Sequence, residues 1–146
     1  MVNRADIFAS LLRHFRAQAS GYAVLLPTIP APTENINTWF VWRPVSYAPA
    51  RAQTGDLWAP GTVRVTCHTR AGPKGSTYDT ALPAKLVQVV VDAIGTQEVA
   101  IRDYVSGSGT TVVAHAQFQE VQDDALGVDP QDGVQTTICT VEFFVR

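Results

Sequence analysis

The chain has 146 residues, a net charge of −2 at pH 7, 46% hydrophobic residues and 16% charged residues. This length suits one compact domain over residues 1–146. The slightly negative net charge excludes a protein whose whole surface attracts nucleic acid. Two cysteines, Cys67 and Cys139, are too few for a disulfide scaffold or a cysteine-rich zinc site. The first twenty residues contain no apolar signal segment, and no apolar run approaches the roughly 18 residues of a membrane span. These features predict a soluble intracellular protein with no membrane contact.

The first predicted element is a helix from Arg4 to Ala19. Asn3 suits the N-cap position, and Asp6 three residues later suggests a box-like pairing with it. Gly21 can end the helix. The apolar residues recur at helical spacing and form one stripe: Ile7, Phe8, Leu11, Leu12 and Phe15.

An extended connector and a strand follow. Leu25–Asn35 contains three prolines, which exclude a regular helix or a central strand. Trp39–Tyr47 is rich in aromatic and β-branched residues and predicts a strand. Pro44 lacks an amide donor, so this strand either ends there or lies at a sheet edge.

The middle of the chain predicts a half-buried strand and a second helix. Val63–His68 alternates apolar and polar residues, which places Cys67 and His68 on opposite faces and excludes them as a dyad of neighbours. Thr80 suits a second N-cap and Gly95 a helix end. The apolar stripe between them consists of Leu82, Leu86, Val89, Val90 and Ile94.

The remaining sequence predicts three strands. Val99–Tyr104 and Thr110–Val121 flank a glycine-containing turn and form a hairpin. Gln122–Gly133 is interpreted as an acidic, turn-rich loop, and Val134–Val145 as a last strand that pairs antiparallel with the strand before it. The expected fold is α+β, a mainly antiparallel sheet of about five strands with two helices on one face.

The segment Arg70–Asp79, RAGPKGSTYD, contains the residue types of a phosphate-binding loop. That motif requires four residues between its glycines and a lysine after the second glycine. Here Gly72 and Gly75 are two residues apart, and Lys74 precedes the second glycine. A charged connecting loop is therefore the better interpretation, and no nucleotide or other cofactor is predicted.

No catalytic or metal-binding set emerges from the spacing of the polar residues. The acidic loop lacks the alternating ligands and terminal glutamate of a calcium loop, and the three histidines form no HxH or HExxH motif. A small enzyme or ligand-binding domain stays open as an alternative. Its candidate polar residues are His68, His115, Arg64 and Arg102.

The order of elements resembles the tail terminator, or tail-completion, proteins of long-tailed bacteriophages and phage-like particles. The resemblance is one of layout over nearly the whole chain. It rests on these segments: RADIFASLLRHFRA, the Pro-rich connector leading to WFVWRPV, VRVTCHTR, LPAKLVQVVVDAIG, TVVAHAQFQEV and TTICTVEFFVR.

This resemblance implies a structural protein and not an enzyme. Such proteins form a homo-oligomeric ring, usually a hexamer, at the head-proximal end of the tail tube, where they end tube polymerisation and join the tail to the head connector. The resemblance thus implies a tail tube protein and a connector protein as partners, DNA passing through the lumen without specific binding, and a place at the head–tail junction of a virion assembled in the bacterial cytoplasm. Another connector, head-completion or minor tail protein is the nearest alternative.

From the residues, we expect sheet-edge pairing by the strand near Trp39–Arg43 and by the C-terminal strand. The loops Arg70–Asp79 and Asp123–Asp132 are expected to face the lumen or a neighbour. The interface residues expected on this hypothesis are Trp39, Trp42, Arg43, Arg70, Lys74, Tyr78, Asp123, Asp124, Asp129 and Asp132.

Overall fold

A computed structural model describes residues 2–30, 36–48, 59–70, 81–95, 98–129 and 133–146. The described part contains two helices and six strands. In chain order they are α1 (Arg4–Gln18), β1 (Ala23–Leu25), β2 (Thr38–Tyr47), β3 (Ala59–Arg70), α2 (Ala81–Ile94), β4 (Glu98–Arg102), β5 (Val112–Val128) and β6 (Val134–Val145).

The six strands form one sheet in the order β1-β2-β3-β6-β5-β4. β1 pairs parallel with β2, and every other neighbouring pair is antiparallel. The predicted α+β class is confirmed, as are the β4–β5 hairpin and the antiparallel β5–β6 pair. The sheet has six strands where about five were expected from the pattern, because β1 is only three residues long and leaves no periodic signal.

Alternating burial gives the sheet two unlike faces. In β3 the apolar residues Val63, Val65 and Cys67 are buried, whereas the residues between them are only half-buried. The same alternation continues in β6, where Val141 and Phe143 are buried and Glu142 is exposed. We call the face that packs against α1 and α2 the covered face, and the opposite face the open face.

The core between helices and covered face is rich in aromatic rings. Phe15 of α1 meets the rings of Phe40 and Trp42 with centroids 5.5 and 5.2 Å away. Phe143 of β6 lies edge-on to Phe8, with centroids 5.9 Å apart. Helix α2 contributes three residues of its predicted stripe, and these are Leu86, Val90 and Ile94.

The start of α1 is confirmed, but the role predicted for Asp6 is wrong. The Asn3 side chain caps the helix by accepting a hydrogen bond from the Ala5 amide at 2.8 Å. Asp6 instead reaches the loop between β4 and β5, where its Oδ1 accepts from the amides of Val105 at 2.7 Å and Ser106 at 3.2 Å. Its Oδ2 accepts from the Ser106 hydroxyl. Asp6 is buried. Its carboxylate accepts hydrogen bonds from residues distant in sequence and not from the first turn of its own helix.

These contacts favour the ionised carboxylate of Asp6. The hydrogen bond from the Ser106 hydroxyl lowers its pKa most; burial opposes the shift, and the amides of Val105 and Ser106 lower the pKa further. Asp6 thus ties the first turn of α1 to the hairpin loop. Because that loop is joined to the sheet, this contact helps to hold the helix layer in place.

Two predictions about the C-terminal half are wrong. The segment predicted as an acidic loop from Gln122 is strand as far as Val128, so β5 has 17 residues. Register shifts at Gln119 and Leu126 mark bulges that let it continue past its polar residues. β6, expected to offer a sheet edge, pairs with β3 on one side and β5 on the other. It is therefore a central strand.

Candidate functional site: the open face of the sheet

The open face carries side chains from all of the longer strands. Directly opposite residues in antiparallel strands share a face, so the register identifies its members. Across β3 and β6 they include the pairs His68–Thr136, Thr66–Ile138 and Thr62–Glu142. No described helix packs on this face, which makes it a candidate surface for a partner.

A groove of about 420 Å³ lies at one end of the open face. The Trp39 ring forms part of its lining, with His68 stacked on that ring at 5.1 Å between centroids and the Arg70 guanidinium 5.0 Å from the ring centre. Nδ1 of His68 lies 3.1 Å from the Thr136 hydroxyl. The remaining lining residues are Leu25, Ile29, Val41, Asp129 and Val134. The groove combines an apolar wall with cationic and anionic groups.

Four charged residues on the open face next to the groove form two directly opposite pairs. The two pairs are offset by two residues along the strands, because Arg64 lies opposite Thr140 and not opposite Glu142. Arg43 of β2 lies directly opposite Arg64 of β3. On the other half of the sheet, Glu142 of β6 lies directly opposite Glu120 of β5. We call Arg43, Arg64, Glu142 and Glu120 the charge row. Its order across β2, β3, β6 and β5 is two positive charges followed by two negative charges.

Each end of the charge row lies at a lateral margin of the sheet. β1 pairs with β2 only as far as Val41, two residues before Arg43. β4 pairs with β5 only as far as Gln117, three residues before Glu120. At the level of the charge row, β2 and β5 are therefore the outermost strands among the described residues.

The members of the charge row are at least partly accessible, and one of them has an unsatisfied donor among the described residues. Arg43, Glu120 and Glu142 are exposed, and Arg64 is half-buried. The Arg64 Nε is buried and has no hydrogen-bond partner among the described residues. A buried N–H donor without an acceptor lowers the stability of the fold, and this loss is recovered when an acceptor binds to it.

Beyond the charge row, the β5 strand of the β5–β6 hairpin is mostly exposed. Asp123 and Asp124 are exposed there, and Leu126 at the second bulge is 60% exposed. Asp123 lies opposite Cys139 on the covered side, yet the helices do not shield it. This end of the hairpin thus presents two carboxylates and one apolar side chain.

The residues predicted as interface contacts fall into three groups. Arg43, Arg70, Asp123, Asp124 and Asp129 lie at the surface around the open face or its hairpin. Trp39 is 2% exposed and lines the groove beneath Arg70 and His68, whereas Trp42 is 1% exposed and packs on Phe15 on the covered face. Trp42 therefore offers a partner no surface. Lys74, Tyr78 and Asp132 lie outside the described residues.

The two histidines considered for an enzyme do not come together. His68 is level with Thr136 of β6, whereas His115 exchanges backbone hydrogen bonds with Arg146. Ten residues of strand separate these two levels, which is roughly 33 Å. The described residues contain no group of three or more His, Cys, Asp or Glu side chains placed to hold a metal ion.

Cys67 and Cys139 form a buried pair on the covered face, with sulfurs 3.9 Å apart. The hydrogen bond with Cys139, and then burial, raise the pKa of the Cys67 thiol. The pair therefore does not hold two thiolates at neutral pH. As predicted, His68 lies on the opposite face from Cys67.

In the described part of the chain, neither helix has the length and apolar content needed to cross a membrane. The charge row is not visible in the sequence, because the two like-charged pairs depend on strand register. One sequence signal was available: Arg64 alternates with apolar residues in β3, and this alternation places it on the open face.

No known family model matches this chain, and no curated protein does. Solved structures do match it. One of them, whose name states no function, aligns over 100% of this chain and 97% of its own length, with a TM-score of 0.57 and 12% sequence identity. At this identity the likeness concerns the fold alone.

Proposed function

We propose that this protein is a structural component of a phage or phage-like particle, a tail terminator. Copies of it form a ring, as a hexamer, on the head-proximal end of the tail tube, where the ring stops tube polymerisation and joins the tail to the head connector. The protein is not an enzyme and uses no cofactor in this role. Its place is the head–tail junction of a particle assembled in the bacterial cytoplasm.

The observation that carries the proposal is the inequality of the two sheet faces. One face is sealed by α1 and α2, and the other is uncovered by any described helix. A subunit of a closed ring needs two unlike surfaces that fit each other. The open face, with unlike charges at its two margins, supplies surfaces of that kind.

The order of elements and the composition support the same role. The helix, connector, strand and helix order of the sequence resembles tail terminators, and the α+β fold agrees with that layout. With a net charge of −2, the chain offers little overall attraction for phosphates. Such a balance suits a lumen through which DNA passes without specific binding.

Native mass spectrometry of the purified protein tests the ring, combined with negative-stain images of the same sample. We expect one closed oligomer of at least three copies, with six as the specific prediction, and annular particles in the images. A strict monomer at all concentrations, with or without tube protein, contradicts the proposal. Rings that leave tube length unchanged when they are added to polymerising tube protein favour the alternative of another connector, head-completion or minor tail protein.

The groove beside Trp39 supports a second candidate function, a small α+β ligand-binding domain. Its apolar wall and its polar groups, which include His68, Arg70 and Asp129, fit the general composition of a small-molecule site. Tryptophan fluorescence during a fragment screen tests this candidate. Saturable quenching that is lost in Trp39→Phe but kept in Trp42→Phe favours ligand binding. No saturable change in the wild-type protein contradicts it.

A further inference from the structure

We infer that the charge row is the contact between neighbouring copies of this chain. In this contact Arg43 and Arg64 of one copy meet Glu120 and Glu142 of the next. The inference rests on the proposed ring and names the surfaces that close it. The occupant of the site is a second copy of the same chain.

The two like-charged pairs are the first argument. Like charges directly opposite each other on neighbouring strands are destabilising. The open face nevertheless holds two such pairs, Arg43 opposite Arg64 and Glu120 opposite Glu142. Each pair places two like charges directly opposite each other, and each carries the charge that the other lacks.

The placement of the pairs is the second argument. The charge row crosses four strands, and its positive and negative ends lie where β2 and β5 are the outermost described strands. A neighbour approaching from the side meets one sign at one margin and the other sign at the opposite margin. Repeating that contact in one direction is heterologous association, the geometry that closes into rings.

The state of Arg64 is the third argument. Its Nε is buried without a hydrogen-bond partner among the described residues, while its side chain as a whole is half-buried. A carboxylate from a second copy satisfies guanidinium donors with short, charge-assisted hydrogen bonds. Glu120 and Glu142 are both exposed and acceptor-only, so they suit this role.

Charge reversal followed by mixing tests the inference. One variant carries Arg43→Glu and Arg64→Glu, and the other carries Glu120→Arg and Glu142→Arg. Each variant alone presents the same sign at both margins and should remain monomeric. An equimolar mixture alternates the two variants and should recover at least half of the wild-type oligomer, measured by size-exclusion chromatography with light scattering.

The matched control is Arg4→Glu with Lys85→Glu, on the exposed surfaces of α1 and α2. This control changes the net charge by the same amount as the arginine reversal. Its substitutions lie on the covered side of the sheet, so the control should assemble like the wild type. Circular dichroism of each variant confirms folding, and recovery on mixing shows directly that both variants are competent.

The outcomes separate this inference from the ring itself. Rings formed by either reversed variant alone, or no recovery in a mixture of folded variants, overturn the charge-row contact and leave the ring proposal standing. A wild-type assembly that stops at two copies and follows the mixing rule supports the contact and overturns the ring. A wild-type monomer under all conditions overturns both.

Discussion

The covered and open faces of the sheet are built from the same strands, yet they differ in almost every physical property. On β6, Phe143 points into the core and touches the rings of Phe8 and Phe118, while its neighbour Phe144 points to the open face and is half-buried. The covered face is apolar and contains the buried thiol pair. The open face carries the charge row and the groove.

Because of this difference, we expect the covered face to determine the stability of the fold and the open face to determine what the protein binds. Burial of apolar area on the covered face supplies most of the folding free energy. Side chains on the open face gain less from folding, since they keep part of their contact with water. Substitutions on the covered face should therefore unfold the chain, and those on the open face should change what it binds.

The largest predicted effect comes from the pair Phe143→Ala and Phe144→Ala. Phe143→Ala leaves a cavity in the core and should lower the free energy of unfolding by about 3–5 kcal/mol. Phe144→Ala removes a half-buried ring and should cost about 1 kcal/mol, while weakening self-association. Urea denaturation measures the first effect and light scattering the second. Equal losses of stability at both positions contradict the comparison.

A smaller loss is expected for Gly61→Ala in β3. An added Cβ there would lie 2.2 Å from the Phe143 ring, because the two residues are directly opposite each other. Overpacking of this kind costs about 1–3 kcal/mol. On the Phe143→Ala background the same substitution should cost much less, since the ring is gone. Additive losses in this double-mutant cycle would show that Gly61 does not make room for the ring.

The contact between Asp6 and the hairpin loop predicts how stability depends on pH. Because its folded-state pKa is lowered, Asp6 contributes stability above about pH 4, the ordinary carboxylate range, and this is lost as the pH falls through the folded pKa. Asp6→Asn should lower the Tm by a few degrees at pH 7, and the difference from wild type should shrink towards pH 2.5. Thermal unfolding followed by circular dichroism measures both.

Asp92→Asn is the matched control for Asp6, since Asp92 is exposed on α2 and accepts a hydrogen bond from the side-chain amide of Gln88 four residues away. It should leave the Tm nearly unchanged. A gap between Asp6→Asn and wild type that widens in acid would contradict the role assigned to Asp6.

The smallest effect is expected at the thiols of the covered face. Cys67 and Cys139 are nearly inaccessible, at 2% and 0% exposure, so iodoacetamide should modify them only after the chain opens. Mass spectrometry should show little alkylation of the native protein and complete alkylation in denaturant. Rapid modification while the native circular dichroism is retained would show that the helices do not seal this face.

Local patterns predicted the elements better than they predicted their partners. The apolar spacing from Ile7 to Phe15 identified α1, and the alternation around Val65 identified β3 and its buried face. The run from Gln122 to Val128 contains two aspartates and a glycine, which favour a loop locally, but pairing with β6 keeps it as strand. Tertiary pairing overrides propensity there.

The contacts at the candidate site were harder to predict from the sequence than the helices and strands were. Asp6 finds donors about 100 residues away in sequence, and only the packed fold brings them together. The charge row needs the register of three strand pairs before its four members are seen as neighbours. Arg43 was singled out from the sequence, but the significance of Arg64, Glu120 and Glu142 as one row was not.

Disulfide cross-linking of a chain carrying both Arg43→Cys and Glu120→Cys tests the central claim most directly. Three strand spacings and a two-residue offset along the strands separate these positions within one chain, roughly 16 Å in all, whereas a disulfide needs Cα atoms within about 7 Å. Mild oxidation should therefore give a ladder of covalent oligomers up to the closed ring on a non-reducing gel, and Arg43→Cys with Asp92→Cys should not. A chain that stays monomeric on that gel, or a control that gives the same ladder, would contradict an open face built for association.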